Sequence, residues 1–196
     1  MQQRSAETRT HIMDAALKLF SQSGYNATGV AEICIEAGVS KGAFYHHFPA
    51  KQAVFLELLE NWLKRLDMEL ASAHENTQNT GQVFINMTSM IPGIFQSADQ
   101  CLPMFLEFWA QASRDPAIWQ VTIAPYRRYR DFFAGLIEQG IADGTFKPVE
   151  AKIAAYMVVS LAVGMLLQGL LDAQSADWQQ VATQSMQILM GGLANN

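Results

Sequence analysis

Apolar residues recur along the chain with the spacing of a helix, and no segment alternates with the period of two that is typical of a strand. The first stripe occupies positions i, i+3, i+4, i+7 and i+8 of one helix face: Ile12, Ala15, Ala16, Leu19 and Phe20. Gly24 follows the stripe and predicts its end. Similar spacing returns in nearly every later segment, so the sequence predicts an all-α protein.

Two short helices are predicted on either side of a glycine turn. An apolar stripe covers residues 30–37, Gly38 interrupts it, and Ser40 is a natural N-cap for the helix that follows. Phe44 and Phe48 share the inner face of that helix at i, i+4. Two short helices joined by a tight turn within residues 29–48 are typical of a helix-turn-helix, whose second helix enters the major groove of DNA.

The rest of the chain is predicted to be a series of longer helices. Lys51 opens a long fourth helix, and the polar segment from His74 to Gly81 is predicted to be a linker turn. Further helices are predicted around residues 82–97, 102–114, 117–140, 149–172 and 177–191. Pro92 and Pro125 lie inside two of these patterns, so a kink or break is expected at each.

Composition and charge narrow the class of protein. Half of the 196 residues are hydrophobic and 16% are charged, which suits a folded core. Cys34 and Cys101 are far apart with no CxxC pattern, so neither a disulfide framework nor a zinc site is predicted, and a reducing cytoplasm fits. The net charge is −5, yet residues 1–51 hold five Lys/Arg against four Asp/Glu, whereas the remainder holds eight against fourteen. A mildly basic head therefore precedes an acidic body.

The helix-turn-helix segment resembles the signature of the tetracycline-repressor (TetR) family. The resemblance rests on Gly24-Tyr25-Asn26-Ala27-Thr28 and on the run from Ile33 through Gly38-Val39-Ser40-Lys41-Gly42-Ala43-Phe44-Tyr45 to Lys51, and the stripe at 12–20 fits it as well. It covers roughly residues 8–60. It implies an N-terminal three-helix DNA-binding head, residues 1–51 with the motif at 29–48, and a C-terminal helical ligand-binding and dimerisation bundle, residues 52–196.

The resemblance also implies two classes of DNA contact. Base edges would be approached by Lys41, Gly42, Ala43 and His46. Phosphates would be held by Thr28, Ser40, Tyr45, His47 and Lys51. Gly29 stands where the family usually has a hydroxyl residue. Glycine can still cap the helix, but a side-chain phosphate contact is lost at this position. Alternatively, Tyr45 only packs its ring, and Lys41 and Lys51 are solvated charges. Adjacent His46 and His47 diverge by about 100° on a helix, so no metal site is predicted there.

Large soft side chains are concentrated in residues 82–133 and, by the resemblance, would enclose an apolar or aromatic inducer, because methionine and aromatic residues line adaptable pockets. The candidate ligand-binding residues are Trp62, Phe84, Met87, Met90, Phe95, Met104, Phe105, Phe108, Trp109, Trp119 and Tyr126. The alternative is that they are simply core. Glu107 is either a cation-recognising group within this stretch or a helix-surface or capping charge.

Residues 153–171 contain no charge and are long enough to span a membrane. Ser160 and Gln168 interrupt the segment, Asp172 follows it at once, and Ser160 and Gly164 are small residues that permit close helix contact. A buried helix at a homodimer interface is therefore predicted in place of a membrane span. The candidate interface residues are Ser160, Gly164, Leu167, Leu171, Val181 and Ile188.

No catalytic motif such as a P-loop, HExxH or GxSxG is present, so no enzyme and no cofactor are predicted. The sequence favours a cytoplasmic homodimeric regulator that binds a double-stranded DNA operator, a repressor released by a small-molecule inducer. Two alternatives stay open. One is a constitutive DNA-binding regulator without a ligand, and the other is a small-molecule-binding helical protein that lacks DNA function.

Overall fold

The computed structural model describes residues 2–75 and 80–195, without side chains for 2–4, 74–75, 85, 92 and 95–102. The chain is 81% helical and has no strand among the described residues, which confirms the all-α prediction. The helices described are α1 Gln2–Ser23, α2 Val30–Glu36, α3 Lys41–His47, α4 Lys51–Glu75, α5 Thr80–Thr88, α6 Ile91–Ala112, α7 Pro116–Ala142, α8 Ala151–Leu171 and α9 Trp178–Leu193.

The predicted boundary between two helices near residues 98–101 is wrong. Helix α6 runs continuously from Ile91 to Ala112, and the interruption lies earlier, between Thr88 and Ile91. Pro92 is therefore the second residue of a helix, where no N–H is required, because the first-turn N–H groups have no helical acceptor. The break that was expected at Pro92 lies two to three residues before it, in the turn at Ser89 and Met90.

Helix α7 does not break at Pro125, contrary to one of the two outcomes expected there. The helix continues from Pro116 to Ala142, and α6 likewise continues through Pro103. Proline removes the N–H that would bond to the carbonyl four residues earlier. For Pro125 that carbonyl belongs to Val121, a residue that is 58% exposed.

The chain divides into two compact units. Unit 1 comprises Met1–Leu66 and Pro103–Thr122, and unit 2 comprises Asp67–Leu102 and Ile123–Asn196. This structural division groups residues 52–66 and 103–122 with the three-helix head. The functional boundary predicted after residue 51 is a separate matter and stays a prediction, because a compact unit can contain more than one functional part.

Unit 1 has an aromatic core that connects the head to α4 and α6. Phe20, Phe55 and Phe108 are buried, and the Phe55 and Phe108 rings stack with centroids 4.0 Å apart. Tyr25 meets all three of these rings at centroid distances of 5.2 to 5.3 Å. The turn that carries Tyr25 is therefore fixed by apolar packing as well as by its hydrogen bonds.

Unit 2 is built on α5, α7, α8 and α9. Its core contains Phe84, Ile137, Phe146 and Val158, and a single antiparallel bridge joins Phe146 to Ala194. The end of α4 is tied to α7 because Asp67 accepts hydrogen bonds from the Arg128 guanidinium and, at 2.8 Å, from the Tyr129 hydroxyl.

Candidate nucleic-acid interface

The turn between α2 and α3 is closed by backbone hydrogen bonds that require a left-handed residue. Gly38 has φ +66°, a conformation that costs a side-chained residue free energy. Its N–H donates to the Ile35 carbonyl at 3.2 Å, and the Val39 N–H donates to the Cys34 carbonyl at 2.9 Å. The two short helices are thus joined tightly, as the sequence predicts.

Helix α3 is fixed at its N-terminus and along its inner face. The Ser40 hydroxyl oxygen accepts a hydrogen bond from the Ala43 N–H at 3.1 Å, which is the predicted N-cap. Phe44 and Phe48 are buried, with ring centroids 6.1 Å apart. These contacts hold the helix in place while leaving its opposite face to solvent.

The outer face of α3 presents the residues predicted to read DNA. Lys41, Gly42 and His46 are exposed, and Ala43 is half-buried. Tyr45 is 54% exposed although its ring packs edge-on against Phe44. All of these positions belong to one short helix and are accessible to a DNA groove, except for the more covered Ala43. Their contacts with bases and phosphates stay a prediction.

Lys51 has a structural role that the sequence did not indicate. Its ammonium donates to the carbonyls of Tyr25 at 2.6 Å, Asn26 at 3.3 Å and Thr28 at 2.7 Å, and it lies 4.5 Å from the centroid of the Tyr25 ring. A lysine ammonium has three N–H donors, so these carbonyls engage all of them. A phosphate contact by Lys51 would require at least one of these bonds to be exchanged.

Burial and nearby carboxylates act in opposite directions on the charge of Lys51. Burial lowers the pKa of its ammonium below the usual range, whereas Glu107 and Glu32 raise it. Burial also raises the pKa of the Tyr25 phenol to about 12. The turn at residues 24–29 is therefore built around a cation that is partly withdrawn from water.

Glu107 braces the same turn from α6. Its carboxylate accepts a hydrogen bond from the Asn26 N–H at 3.0 Å. Gly24, at φ +84°, leaves room for it, since a Cβ at that position would lie 2.5 Å from Oε1 of Glu107. Glu107 was predicted either to recognise a cation or to be a helix-surface or capping charge. Its contact is of the capping type, because the carboxylate accepts a hydrogen bond from the Asn26 N–H.

Thr28 and Gly29 complete the turn. The Thr28 hydroxyl donates to the Gly24 carbonyl at 2.8 Å, and the residue is only 2% exposed. The Gly29 N–H donates to a carboxylate oxygen of Glu32 at 2.6 Å. A capping box has two hydrogen bonds, one to the side chain of each residue. Glycine has no side chain, so only the bond from the Gly29 N–H to the Glu32 carboxylate is formed. In this arrangement Thr28 supports the turn, and its phosphate contact stays a prediction.

Arg9 is a head residue that the sequence reasoning missed. Its Nε donates to Glu57 on α4 at 2.9 Å, a second nitrogen donates to the other oxygen of that carboxylate, and a third donates to the His47 carbonyl at 3.1 Å. The guanidinium also lies 4.3 Å from the Phe48 ring centroid. Arg9 thus connects the C-terminal end of α3 to α1 and α4. No local sequence pattern predicts the contact between Arg9 and His47, which are 38 positions apart.

The structure offers no metal site among the residues it describes. No group of three or more potential His, Cys, Asp or Glu ligands is found in that part of the chain. The His46 and His47 rings are in edge contact, with centroids 5.2 Å apart.

The candidate ligand-binding residues are distributed over both units. Unit 1 holds Trp62, Met104, Phe105, Phe108, Trp109 and Trp119, and unit 2 holds Phe84, Met87, Met90 and Tyr126. Phe95 lies outside the residues whose side chains are described. Within unit 1, Phe105 is close to both Trp62 and Trp109, at centroid distances of 5.8 and 6.4 Å. The inducer pocket that these residues would form stays a prediction.

The candidate dimer residues lie on a helix pair with a large exposed apolar surface. Helices α8 and α9 pack together in unit 2, yet Leu171 and Ile188 are 75% and 77% exposed. Ser160 is exposed, and Gly164, Leu167 and Val181 are half-buried. Helix α8 is the one described helix that is long and apolar enough to cross a membrane, and only 28% of that apolar stretch is buried.

Comparison with known families and proteins gives consistent results. The model of bacterial regulatory proteins of the tetR family matches residues 12–58, and that of the BetI-type transcriptional repressor C-terminal domain matches residues 96–193. The chain is 23% identical to the HTH-type transcriptional regulator UidR of Escherichia coli, covering 98% of this chain and 96% of that one. It is 50% identical over 58 residues to the HTH-type transcriptional regulator AcrR of Shigella flexneri, covering 30% of this chain and 27% of that one.

A similar solved structure is a transcriptional regulator from Saccharomonospora viridis in complex with choline. Its TM-score is 0.82 at 21% identity, with 97% of this chain and all of the other covered.

Proposed function

Because the chain belongs to the TetR family of bacterial regulatory proteins, we propose that it is a transcriptional repressor that leaves its operator when a small molecule binds. Like its relatives, the chain is a DNA-binding transcriptional regulator and not an enzyme. The observation that supports the proposal best is the capped helix α3, which is anchored by Phe44 and Phe48 and presents Lys41, Gly42 and His46 to solvent.

The proposed DNA contacts fall into two groups, and three further residues of the predicted set support the head. Lys41, Gly42, Ala43 and His46 approach base edges, with Lys41 suited to guanine N7 and O6. Ser40, Tyr45 and His47 hold phosphates. Thr28, Gly29 and Lys51 act mainly through the turn that they stabilise, because their hydrogen-bonding groups already engage protein atoms.

Substitution of Lys41 tests the readout. Lys41→Ala should reduce the preference for the operator over random DNA by about 5- to 150-fold, because one specific base contact contributes about 1–3 kcal/mol. Fluorescence anisotropy at fixed salt measures both affinities, and the exposed Lys147→Ala in unit 2 is the matched loss of charge. Equal preference in the two variants would contradict a base contact by Lys41.

The exposed apolar surface of α8 and α9 supports the proposed homodimer. Large contiguous apolar patches on a soluble chain usually mark an interface, and Ile153, Tyr156 and Met157 extend the patch along α8. A two-fold dimer would place two α3 helices on a pseudo-palindromic operator, with half-sites about 34–36 Å or a multiple apart. We propose a cytoplasmic protein on this basis, because an interface accounts for the apolar helix without a membrane.

Sedimentation of charge variants tests the interface. Leu171→Glu and Ile188→Glu should convert the dimer into a monomer and weaken operator binding, since each places a carboxylate in the apolar contact. Val121→Glu is the control, because Val121 is equally apolar and 58% exposed but lies in unit 1. A wild-type chain that sediments as a monomer, or that requires detergent, would contradict the proposal.

The proposed inducer is an apolar or aromatic small molecule bound by the residues of α4 to α7 named above. Methionine and aromatic side chains suit such a ligand. A neighbour of the same fold holds choline, which supports small-molecule binding in this architecture. Glu107 already serves the turn at Asn26, so a cationic inducer would have to be held chiefly by aromatic rings.

A thermal-shift screen followed by operator titration tests the inducer. A compound that stabilises the protein should weaken operator binding, because an inducer must favour the state that does not fit DNA. A tightly bound compound that leaves operator affinity unchanged would favour a constitutive regulator. Loss of operator binding in every preparation, with ligand binding retained, would favour a helical binding protein without DNA function.

A further inference from the structure

A cleft of about 350 Å³ lies within unit 1, beside the turn at residues 24–29. It is bounded by the start of α4, the end of α6 and the start of α7. Its volume is within the range of small-molecule sites, which is about 300–1,000 Å³. Of the residues predicted to bind an inducer, Phe108 alone lines this cleft, and the other lining residues are outside that predicted set.

The floor of the cleft is apolar. Tyr25, Phe108 and Ala112 line it and are each buried, and the Tyr25 and Phe108 rings meet at right angles with centroids 5.3 Å apart. These three side chains supply an apolar part of the lining of the cleft. A flat apolar ligand would extend this aromatic cluster by packing on it.

The rim of the cleft carries one cation without a carboxylate partner. Asp115 accepts hydrogen bonds from the Ala117 and Ile118 N–H groups at 3.0 and 3.3 Å, so its charge is directed at the N-terminus of α7. Arg114 is exposed at the rim, and among the described residues no carboxylate lies within 4 Å of its guanidinium. Gln52 and Gln111 add amide groups to the same rim.

We propose that this cleft binds a small aromatic carboxylate. The ring packs on Tyr25 and Phe108, and the carboxylate accepts hydrogen bonds from the Arg114 guanidinium, which is shaped to hold two carboxylate oxygens. The neutral amides of the rim can donate to the same oxygens. The ligand thereby contacts Tyr25, which lies between Gly24 and Asn26 in the turn that Lys51 and Glu107 hold.

Titration of the full-length protein with 2-naphthoate, followed by ligand-observed NMR and calorimetry, tests the site. The neutral 2-naphthamide has the same shape and is the ligand control. Arg114→Gln removes the proposed partner, and Arg65→Gln is the matched loss of an exposed arginine elsewhere in unit 1. Gln111→Trp places a bulky ring at the rim and should block the cleft, with folding checked by thermal unfolding.

The expected result is one 2-naphthoate per chain, with affinity lowered at least about tenfold by Arg114→Gln and unchanged by Arg65→Gln. The amide should bind more weakly than the carboxylate to the wild type, and equally weakly to wild type and Arg114→Gln. Gln111→Trp should abolish binding of both compounds. Equal affinities for Arg114→Gln and Arg65→Gln, or full binding to Gln111→Trp, would overturn the proposal.

Binding at this cleft does not require that the protein regulate transcription. Operator affinity of the ligand-free protein is measured separately, so a failure of the proposed function is distinguished from a failure of this site.

Discussion

Replacement of Arg9 by glutamine is the sharpest test of how α3 is positioned. Arg9 joins three helices of unit 1 by hydrogen bonds to both oxygens of Glu57 and to the His47 carbonyl, and it packs over the Phe48 ring. Glutamine is shorter and uncharged, so it cannot maintain these contacts together. The change should loosen the C-terminal end of α3 without altering its outer face.

The size of the effect follows from how well the ion pair is shielded. Hydrogen bonds to charged groups contribute about 1.5–3 kcal/mol when protected, whereas exposed ion pairs contribute about 0.2–1 kcal/mol. The side chains of Arg9 and Glu57 are 40% and 25% exposed, which is between these limits. We expect Arg9→Gln to lower the free energy of unfolding by about 1–2 kcal/mol and operator affinity by about 5-fold.

Urea denaturation followed by circular dichroism measures the stability, and fluorescence anisotropy over a series of salt concentrations measures operator binding. A positioning residue should leave the salt dependence of affinity unchanged, because no phosphate contact is lost. A residue that contacts phosphate would instead reduce the slope by about one. Arg65→Gln supplies the matched change in net charge. A slope reduced by about one, or effects equal to those of the control, would refute the reasoning.

Three further predictions concern the turn and unit 2. Gly24→Ala should lower the thermal midpoint, because φ is +84° and the new Cβ would lie 2.5 Å from Glu107 Oε1. The same substitution should cost less in a Glu107→Ala background, where the steric conflict is absent and only the backbone strain is left. Lys51→Met retains an unbranched apolar side chain but loses the bonds to three carbonyls, so it should destabilise the head without changing the salt slope of operator binding; a reduced slope would restore the phosphate role. Hydrogen bonds from Thr145 and Thr80 lower the pKa of Asp143 to about 2, so the stability they provide is present above about pH 4 and is lost as the pH falls towards 2. The difference in urea midpoint between wild type and Asp143→Asn should therefore be present at pH 7 and vanish near pH 2, and a constant difference would contradict this.

The head was predictable from sequence because its determinants are local. Gly24, Gly38 and Ser40 each perform the turn or cap that their residue type indicates, and Phe44 and Phe48 are spaced to bury one face of α3. A positive φ or an N-cap depends on neighbours within about four residues. Patterns of this kind therefore predict the local structure independently of contacts with distant parts of the chain.

The supports of the head could not be predicted in the same way. Glu107 reaches Asn26 across 81 positions of sequence, and Lys51 reaches Tyr25 across 26. Such contacts exist only once the chain has folded, and each of these residues taken alone is typical of a solvated surface. The side of α8 that is buried could not be predicted either. A helix that is apolar on every side has no periodic pattern that indicates which side is covered.

The brace at Glu107 has a consequence for anyone who wishes to build hybrid sensors from proteins of this kind. Exchanging segments at residue 51 would transfer Lys51 with the reading helix but leave behind the carboxylate that holds Asn26 from α6. The transplanted turn would then keep Lys51 and Glu32 and lose the carboxylate of Glu107. A graft that also carries the matching stretch of α6, residues 103–112, would keep both charges together, so the interchangeable part of this protein is discontinuous in sequence.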